Sequence, residues 1–80
     1  MTLDISVYRT INKDYFKAWV ERFPDKNPIE LIGEMSAATF VPIIAVCYFI
    51  GELKGFTPEL DAKIKRLMKF YHIDNISGTL

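Results

Sequence analysis

The residues whose side chains could perform chemistry are few and are spread along the chain. Cys47 and His72 are the only cysteine and histidine among 80 residues, so they are the only candidates for a nucleophile with a histidine base. Cys47 lies in the apolar run 40–50, where burial raises the pKa of a thiol and lowers its reactivity. We therefore expect a buried, structural cysteine. A disulfide or a zinc site would need further Cys or His residues.

Two glutamates one helical turn apart, Glu30 and Glu34, could in principle bind a cation or act as an acid/base pair. Nothing near them in the sequence would desolvate or polarise either carboxyl group, so the pattern predicts a solvated acidic face. A chain this small also has little room for both a core and an enzyme site. We predict no catalytic residue, no cofactor and no metal, and hence no enzyme.

Basic residues cluster on the last predicted helix and form the candidate binding surface. Lys65, Arg66 and Lys69 share one face of that helix, and His72 follows near its C-terminal end. Lysine and arginine on one face can contact the phosphates of nucleic acid. A nucleic-acid-binding regulator that uses this face is therefore the alternative function that the sequence leaves open.

The same cluster has a purely structural explanation. Basic residues near a helix C-terminus favour the helix dipole, and the predicted pairs Glu59–Lys63 and Asp61–Lys65 have i,i+4 spacing. A helix-turn-helix centred on Gly55 would also place Glu59 and Asp61 where a recognition helix meets DNA, and they would repel phosphate. Ten basic residues balance ten acidic ones, so no global field attracts nucleic acid. We do not expect nucleic acid as the partner.

The second half of the chain carries clear helix signals. Asn27 and Thr57 each stand before a proline, which is the pattern of an N-cap followed by the first helical residue. Gly55 is the expected end of the helix between them, with Phe56 folding back towards Ile50. These signals predict helices over about 28–38, 41–53 and 58–72. Pro42 would lie in the first turn of the middle helix, where a missing N–H costs nothing.

The first half of the chain has one clear helix, preceded by a segment that fits two structures. A helix over about 12–23 is predicted, because its apolar residues recur with helical spacing and Pro24 ends it. Residues 2–9 fit either a strand or an earlier helix start, and we favour a short extended segment. The segment 74–80 has no periodicity and is predicted to be a tail that pairs with the N-terminal segment.

The predicted helices have one-sided apolar faces, except for the middle one. The residues expected on the buried faces are Tyr15, Phe16, Trp19, Val20 and Phe23 of the first helix, Leu31, Ile32, Met35 and Ala38 of the second, and Leu60, Ile64, Leu67, Met68 and Tyr71 of the last. The middle helix is apolar all round, so the others must surround it. The sequence thus predicts an all-α fold, a small bundle of three to four helices around the central apolar helix 41–53, in one domain over 1–80.

The central run also decides the expected assembly and location. Its eleven strongly apolar residues would extend only about 17 Å as a helix, too short for a bilayer core of about 30 Å, so no membrane association is expected. No basic region followed by an apolar one opens the chain, which predicts a cytoplasmic protein. Three short helices would leave part of the run exposed, and a second subunit would cover it. We therefore expect a homodimer.

These observations favour a protein that acts through its surface. We expect a non-catalytic protein-protein interaction module that binds another protein of unknown identity as an adaptor, regulator or stoichiometric inhibitor. An origin in a virus or a mobile element would fit a stand-alone inhibitor of this size.

Overall fold

A computed structural model of the chain describes residues 1–38 and 41–80, with the backbone alone for 11–13, 37 and 38. Helix accounts for 66% of the residues, so the prediction of a mostly helical domain is confirmed. In the described ranges the elements are strand β1 (Thr2–Asp4), helix α1 (Ser6–Arg22), helix α2 (Pro28–Ala38), helix α3 (Ile43–Lys54), helix α4 (Pro58–Phe70) and strand β2 (Asn75–Ser77).

Helices α2 and α4 begin where the cap signals predict. The Asn27 side-chain oxygen accepts a hydrogen bond from the Glu30 N–H at 3.0 Å, and the Thr57 hydroxyl oxygen accepts one from the Leu60 N–H at 3.1 Å. Each cap satisfies an N–H that the helix itself leaves without a partner. Each is followed by a proline whose fixed φ suits the first helical position.

Helix α1 begins at Ser6, six residues before its predicted start, and the side chain of Asp4 bonds to this first helical residue. Asp4 Oδ1 accepts hydrogen bonds from the Ser6 N–H at 2.9 Å and from the Ser6 hydroxyl at 2.7 Å. These bonds lower the pKa of Asp4. The expected extended segment 2–9 is therefore limited to β1, and the remainder of it is helical.

Helix α3 begins at Ile43, two residues after the predicted position. Pro42 lies before the first turn, with an extended backbone (φ −54°, ψ 139°), and its carbonyl accepts the Val46 N–H at 3.1 Å. Proline disfavours helical backbone in the residue that precedes it, which explains the later start. The alternative starts at Thr39 and Phe40 lie outside the described residues.

The end of α3 uses two glycines for different reasons. Gly55 has a positive φ of 101°, a conformation that side chains disfavour, and donates its N–H to the Gly51 carbonyl at 2.7 Å. A Cβ on Gly51 would stand 2.3 Å from the Phe56 ring, so Phe56 packs directly on the helix backbone. Phe56 thus folds back as predicted, but onto Gly51.

The segment 74–80 contributes a strand, as the predicted pairing with the N-terminal segment requires. β1 and β2 form a two-stranded parallel sheet in which Leu3 lies opposite Ile76. Outside the ladder proper, the Asp74 N–H donates to the Met1 carbonyl at 2.8 Å and the Ile5 N–H to the Ser77 carbonyl at 3.0 Å. Leu3 and Ile76 are half-buried against the hydrophobic core.

The core is built around α3, which packs against α1, α2 and α4. From Ile44 to Ile50 every α3 side chain except Tyr48 is buried within the single chain. The expected exposed stripe on α3 is therefore absent, and with it the reason for predicting a homodimer. The dimer itself stays a prediction.

The predicted inner faces of the other helices are confirmed in part. Six of the expected residues are buried: Phe16, Leu31, Ile32, Met35, Leu60 and Ile64. Five are half-buried against the core: Trp19, Val20, Phe23, Leu67 and Met68. Tyr15 and Tyr71 are exposed, which contradicts the prediction for both. Ala38 lies among the side chains that are not described.

Candidate functional site

The basic residues singled out from the sequence lie on the solvent side of α4. Lys65, Arg66 and Lys69 are all exposed. Among the described residues none of the three forms an ion pair, and the predicted Glu59–Lys63 and Asp61–Lys65 pairs are absent. Their positive charges are thus not neutralised within the chain and are available to a partner.

His72 lies beyond α4, because the helix ends at Phe70, two residues before the predicted end. Its φ of +57° is the left-handed conformation that commonly terminates a helix. The Ile73 N–H donates to the Met68 carbonyl at 2.9 Å and the His72 N–H to the Lys69 carbonyl at 3.4 Å, which is the Schellman pattern. His72 therefore has an identifiable structural role as the residue that ends α4.

Among the residues that the structure describes, the two most exposed aromatic ones adjoin this basic face. Phe70 is 74% exposed and Tyr71 is 50% exposed, and their rings contact edge to face with centroids 4.9 Å apart. Because the helix stops at Phe70, Tyr71 does not continue the buried stripe that helical spacing predicts. Phe70 lies one turn after Arg66, which places an aromatic ring beside a cation on the same face. That spacing was readable in the sequence, but it was missed.

A groove continues the apolar surface from Tyr71 towards β1. It has a volume of about 330 Å³, and its lining includes Met1 and Leu3 from the β1 segment, Ile43 from α3, and Ile73. Every one of its lining side chains is apolar or aromatic. Tyr71 belongs both to the aromatic pair and to the lining of the groove. We use the name α4-end surface for Arg66, Lys69, Phe70, Tyr71 and the groove.

A second cavity, of about 240 Å³, lies on another part of the molecule beside a half-buried ion pair. Arg9 and Glu52 form a two-pronged salt bridge, in which Arg9 Nη2 donates to Glu52 Oε1 at 2.9 Å. Arg9 Nη2 also donates to the Gly78 carbonyl at 2.6 Å, and the guanidinium lies 5.1 Å from the centre of the Phe49 ring. Glu52 raises the pKa of Arg9 further. These contacts join α1, α3 and the segment after β2, so the pair stabilises the fold.

The residues considered for catalysis are not brought together. Cys47 is fully buried, as expected, and burial raises the pKa of its thiol to about 11. His72 is exposed beyond α4. Glu34 pairs with Lys26 on the surface. In the described part of the chain, no group of three or more His, Cys, Asp or Glu side chains is arranged to hold a metal ion.

In the described ranges, every helix is too short or too polar to cross a bilayer.

Comparison with known proteins gives no match for this chain, whether to a protein-family model, to a curated protein or to a solved structure.

Proposed function

We propose that this chain is a non-catalytic protein-protein interaction module, a small helical bundle around α3 that acts as an adaptor, regulator or stoichiometric inhibitor. The single observation that carries the proposal is the exposure of Phe70 beside Tyr71 at the end of α4. Isolated exposed apolar residues are common and need no explanation. Here two aromatic rings touch each other, and one of them lines an apolar groove.

This arrangement has the composition of an interaction hot spot. Aromatic residues and arginine dominate the binding energy of protein interfaces, and anchors often pair with pockets. The α4-end surface supplies Phe70 and Tyr71 as anchors, Arg66 one turn away and a groove for a partner side chain. Removing these apolar groups from water stabilises a complex at roughly 25 cal/mol per Å² before the costs of association are subtracted.

The charges on this surface indicate the chemistry of the partner. Lys65, Arg66 and Lys69 bring three cations to the outer face of α4. Asp74, the nearby carboxylate after α4, is already paired with the Met1 amino group at 2.6 Å, an interaction that lowers its pKa. A partner segment with acidic residues around apolar anchors complements this surface, and electrostatic attraction would speed its association.

A second copy of the chain fits the same surface less well. In a two-fold symmetric dimer the same patch meets itself. Three unpaired cations would then face three others, and like charges brought together at an interface are costly. For that reason a heterologous acidic partner is preferred over the homodimer that the sequence predicts.

Nucleic acid is the competing partner for the same cations, since exposed aromatics can also stack on bases. It would leave the apolar groove uncovered, because phosphate and sugar have nothing to place among Leu3, Ile43 and Ile73. A protein partner therefore accounts for more of the surface.

Selection of peptides from a displayed library of random sequences tests the proposal. We expect enrichment of peptides that combine Asp or Glu with aromatic or aliphatic residues, binding with micromolar Kd in calorimetry. Phe70→Ala should weaken binding by about 30-fold, the size of a hot-spot loss of 2 kcal/mol. Leu53→Ala is the matched control, because Leu53 is also exposed but lines the other cavity.

Two outcomes of the peptide selection would count against the proposal. Peptides that bind Phe70→Ala as tightly as the wild type, or no enrichment at all, would contradict it. Titration with single-stranded RNA and duplex DNA covers the alternative. Micromolar, salt-sensitive binding that is lost when Lys65, Arg66 and Lys69 are all changed to Gln would replace the protein partner with nucleic acid.

A further inference from the structure

The two-stranded sheet beside the groove has an open edge on β1. The Met1 carbonyl and the Ile5 N–H are bonded towards the β2 segment, to Asp74 and Ser77. Successive residues of a strand point their backbone groups to opposite sides, so the N–H and C=O groups of Thr2 and Asp4 point away from β2. In the described structure β1 pairs with β2 alone, and its other edge is unpaired.

This edge lacks the residues that usually protect a strand from new pairing. Proteins protect exposed edges with lysine, proline or bulges. Neither β1 nor β2 contains lysine, arginine or proline. The only charged side chain on β1, Asp4, is hydrogen-bonded to Ser6, the first residue of α1. Short length is the one protective feature that β1 has, at three residues.

The open edge and the groove belong to the same surface. Leu3, the central residue of β1, lines the groove together with Met1 and Tyr71. Strand addition joins two kinds of contact: main-chain hydrogen bonds give affinity, while pockets that receive every second side chain give specificity. Here the edge offers the hydrogen bonds, the groove offers the pocket, and the cations of α4 select acidic residues.

We propose that the partner is an extended, acidic segment of another protein that adds to β1 as a third strand and places an apolar side chain in the groove. The inference rests on the proposed function, since it specifies how the α4-end surface is used. Because β1 is only three residues long, few main-chain bonds form, and the groove and the cations must supply the remaining affinity. We therefore expect the complex to have a Kd in the micromolar range.

The peptides enriched from the random library give the first test through their sequence pattern. Strand addition requires apolar residues at alternate positions, since side chains of a strand alternate between two faces. Apolar residues spaced at i, i+3 and i+4 would show a helix in the groove instead. That result would overturn strand addition, while dependence on Phe70 would leave the proposed function intact.

Amide hydrogen exchange with a bound, enriched peptide gives the second test. The Thr2 and Asp4 amides point away from β2 and have no strand partner there, so we expect them to exchange rapidly in the free chain and to slow by at least about tenfold in the complex. A peptide that depends on Phe70 but leaves both rates unchanged would overturn strand addition and support the interaction function. Binding that ignores Phe70 would count against both.

A substitution on the edge gives the third test. Thr2→Pro removes an N–H that β1 does not use towards β2, and we expect it to weaken peptide binding by about tenfold, the upper end for one lost hydrogen bond. Thr2→Val keeps the N–H and the shape, so its binding should match the wild type. Equal binding by the two variants would contradict the proposal. Should Thr2→Pro unfold the chain, the exchange measurement on the wild type decides the matter.

A second copy of this chain is the other candidate to pair with the open edge of β1, and it must be distinguished from a different protein. Light scattering at about 100 μM, far above a micromolar Kd, should show a monomer. A dimer that Thr2→Pro converts to monomer would show that β1 pairs with itself, and it would overturn the heterologous partner.

Discussion

The middle of α3 and the end of α4 are both rich in large apolar side chains, yet only the first is enclosed. In α3, Ile44, Phe49 and Ile50 are buried by three other helices. At the end of α4, Phe70 and Tyr71 remain in water. Apolar residues in the core contribute to the free energy of folding, whereas these two contribute little to it. Their apolar surface is therefore available to stabilise a complex. Substitutions in the two regions measure this difference.

Matched phenylalanine substitutions give the largest expected effect. Phe16 is 1% exposed in the core and packs on Phe49, while Phe70 is 74% exposed. Phe16→Ala should lower the free energy of unfolding by about 3–5 kcal/mol, since it removes buried surface and leaves a cavity. Phe70→Ala should change it by no more than about 0.5 kcal/mol. Urea denaturation measures both, and similar costs for the two would break the comparison.

Two glycine substitutions extend the comparison to the backbone, and the first of them lies just after β2. Gly78 has a φ of +80°, and a Cβ there would stand 2.6 Å from Asp4 Oδ1 and 2.7 Å from the Ser6 nitrogen. Gly78→Ala should therefore cost about 1–3 kcal/mol, because it strains the backbone and displaces Asp4 from its hydrogen bonds to Ser6.

Gly33→Ala is the control for that substitution. Gly33 lies inside α2, and nothing stands within 4 Å of the position of its Cβ. Alanine there should stabilise the chain by about 0.5–1 kcal/mol. If Gly78→Ala costs no stability, the segment after β2 is not fixed as the structure indicates.

An effect smaller than those at Phe16 and Gly78 is expected at His72, whose backbone has a conformation that side chains disfavour. His72→Gly should raise the free energy of unfolding by about 0.5–1 kcal/mol, since glycine adopts the positive φ of +57° without penalty. Thermal unfolding would show a rise of a few degrees. His72→Ala, which keeps the penalty, should show no gain. A fall in stability for His72→Gly would mean that the imidazole makes contacts that stabilise α4.

The parts of the fold that follow from local chemistry were predictable. The caps at Asn27 and Thr57 locate the starts of α2 and α4, because each cap has a side-chain acceptor followed by proline. The burial of α3 followed from its lack of a polar face. The start of α1 was not predictable, because residues 2–9 fit both periodicities and the hydrogen bonds between Asp4 and Ser6 were not recognised.

Only half of the candidate surface was predictable from the sequence, because the rest depends on contacts between elements that are distant in the chain. Lys65, Arg66 and Lys69 were identified from their shared helical face. Tyr71 was assigned to the core, because the sequence gives no glycine or asparagine to show that α4 stops at Phe70. The groove joins the β1 segment, α3 and residues after α4, so no local pattern could indicate it.

The parallel strand pair also affects the order in which the chain folds. Met1 and Asp74, which meet at its beginning, are 73 residues apart along the chain. Closing so long a loop carries a larger entropic cost than forming any helical turn, so the strands should pair after the helices have collapsed on α3. During synthesis β1 leaves the ribosome well before β2, its neighbour in the sheet. For that interval both edges of β1 are open, which makes β1 the part of the nascent chain most exposed to premature pairing with other chains.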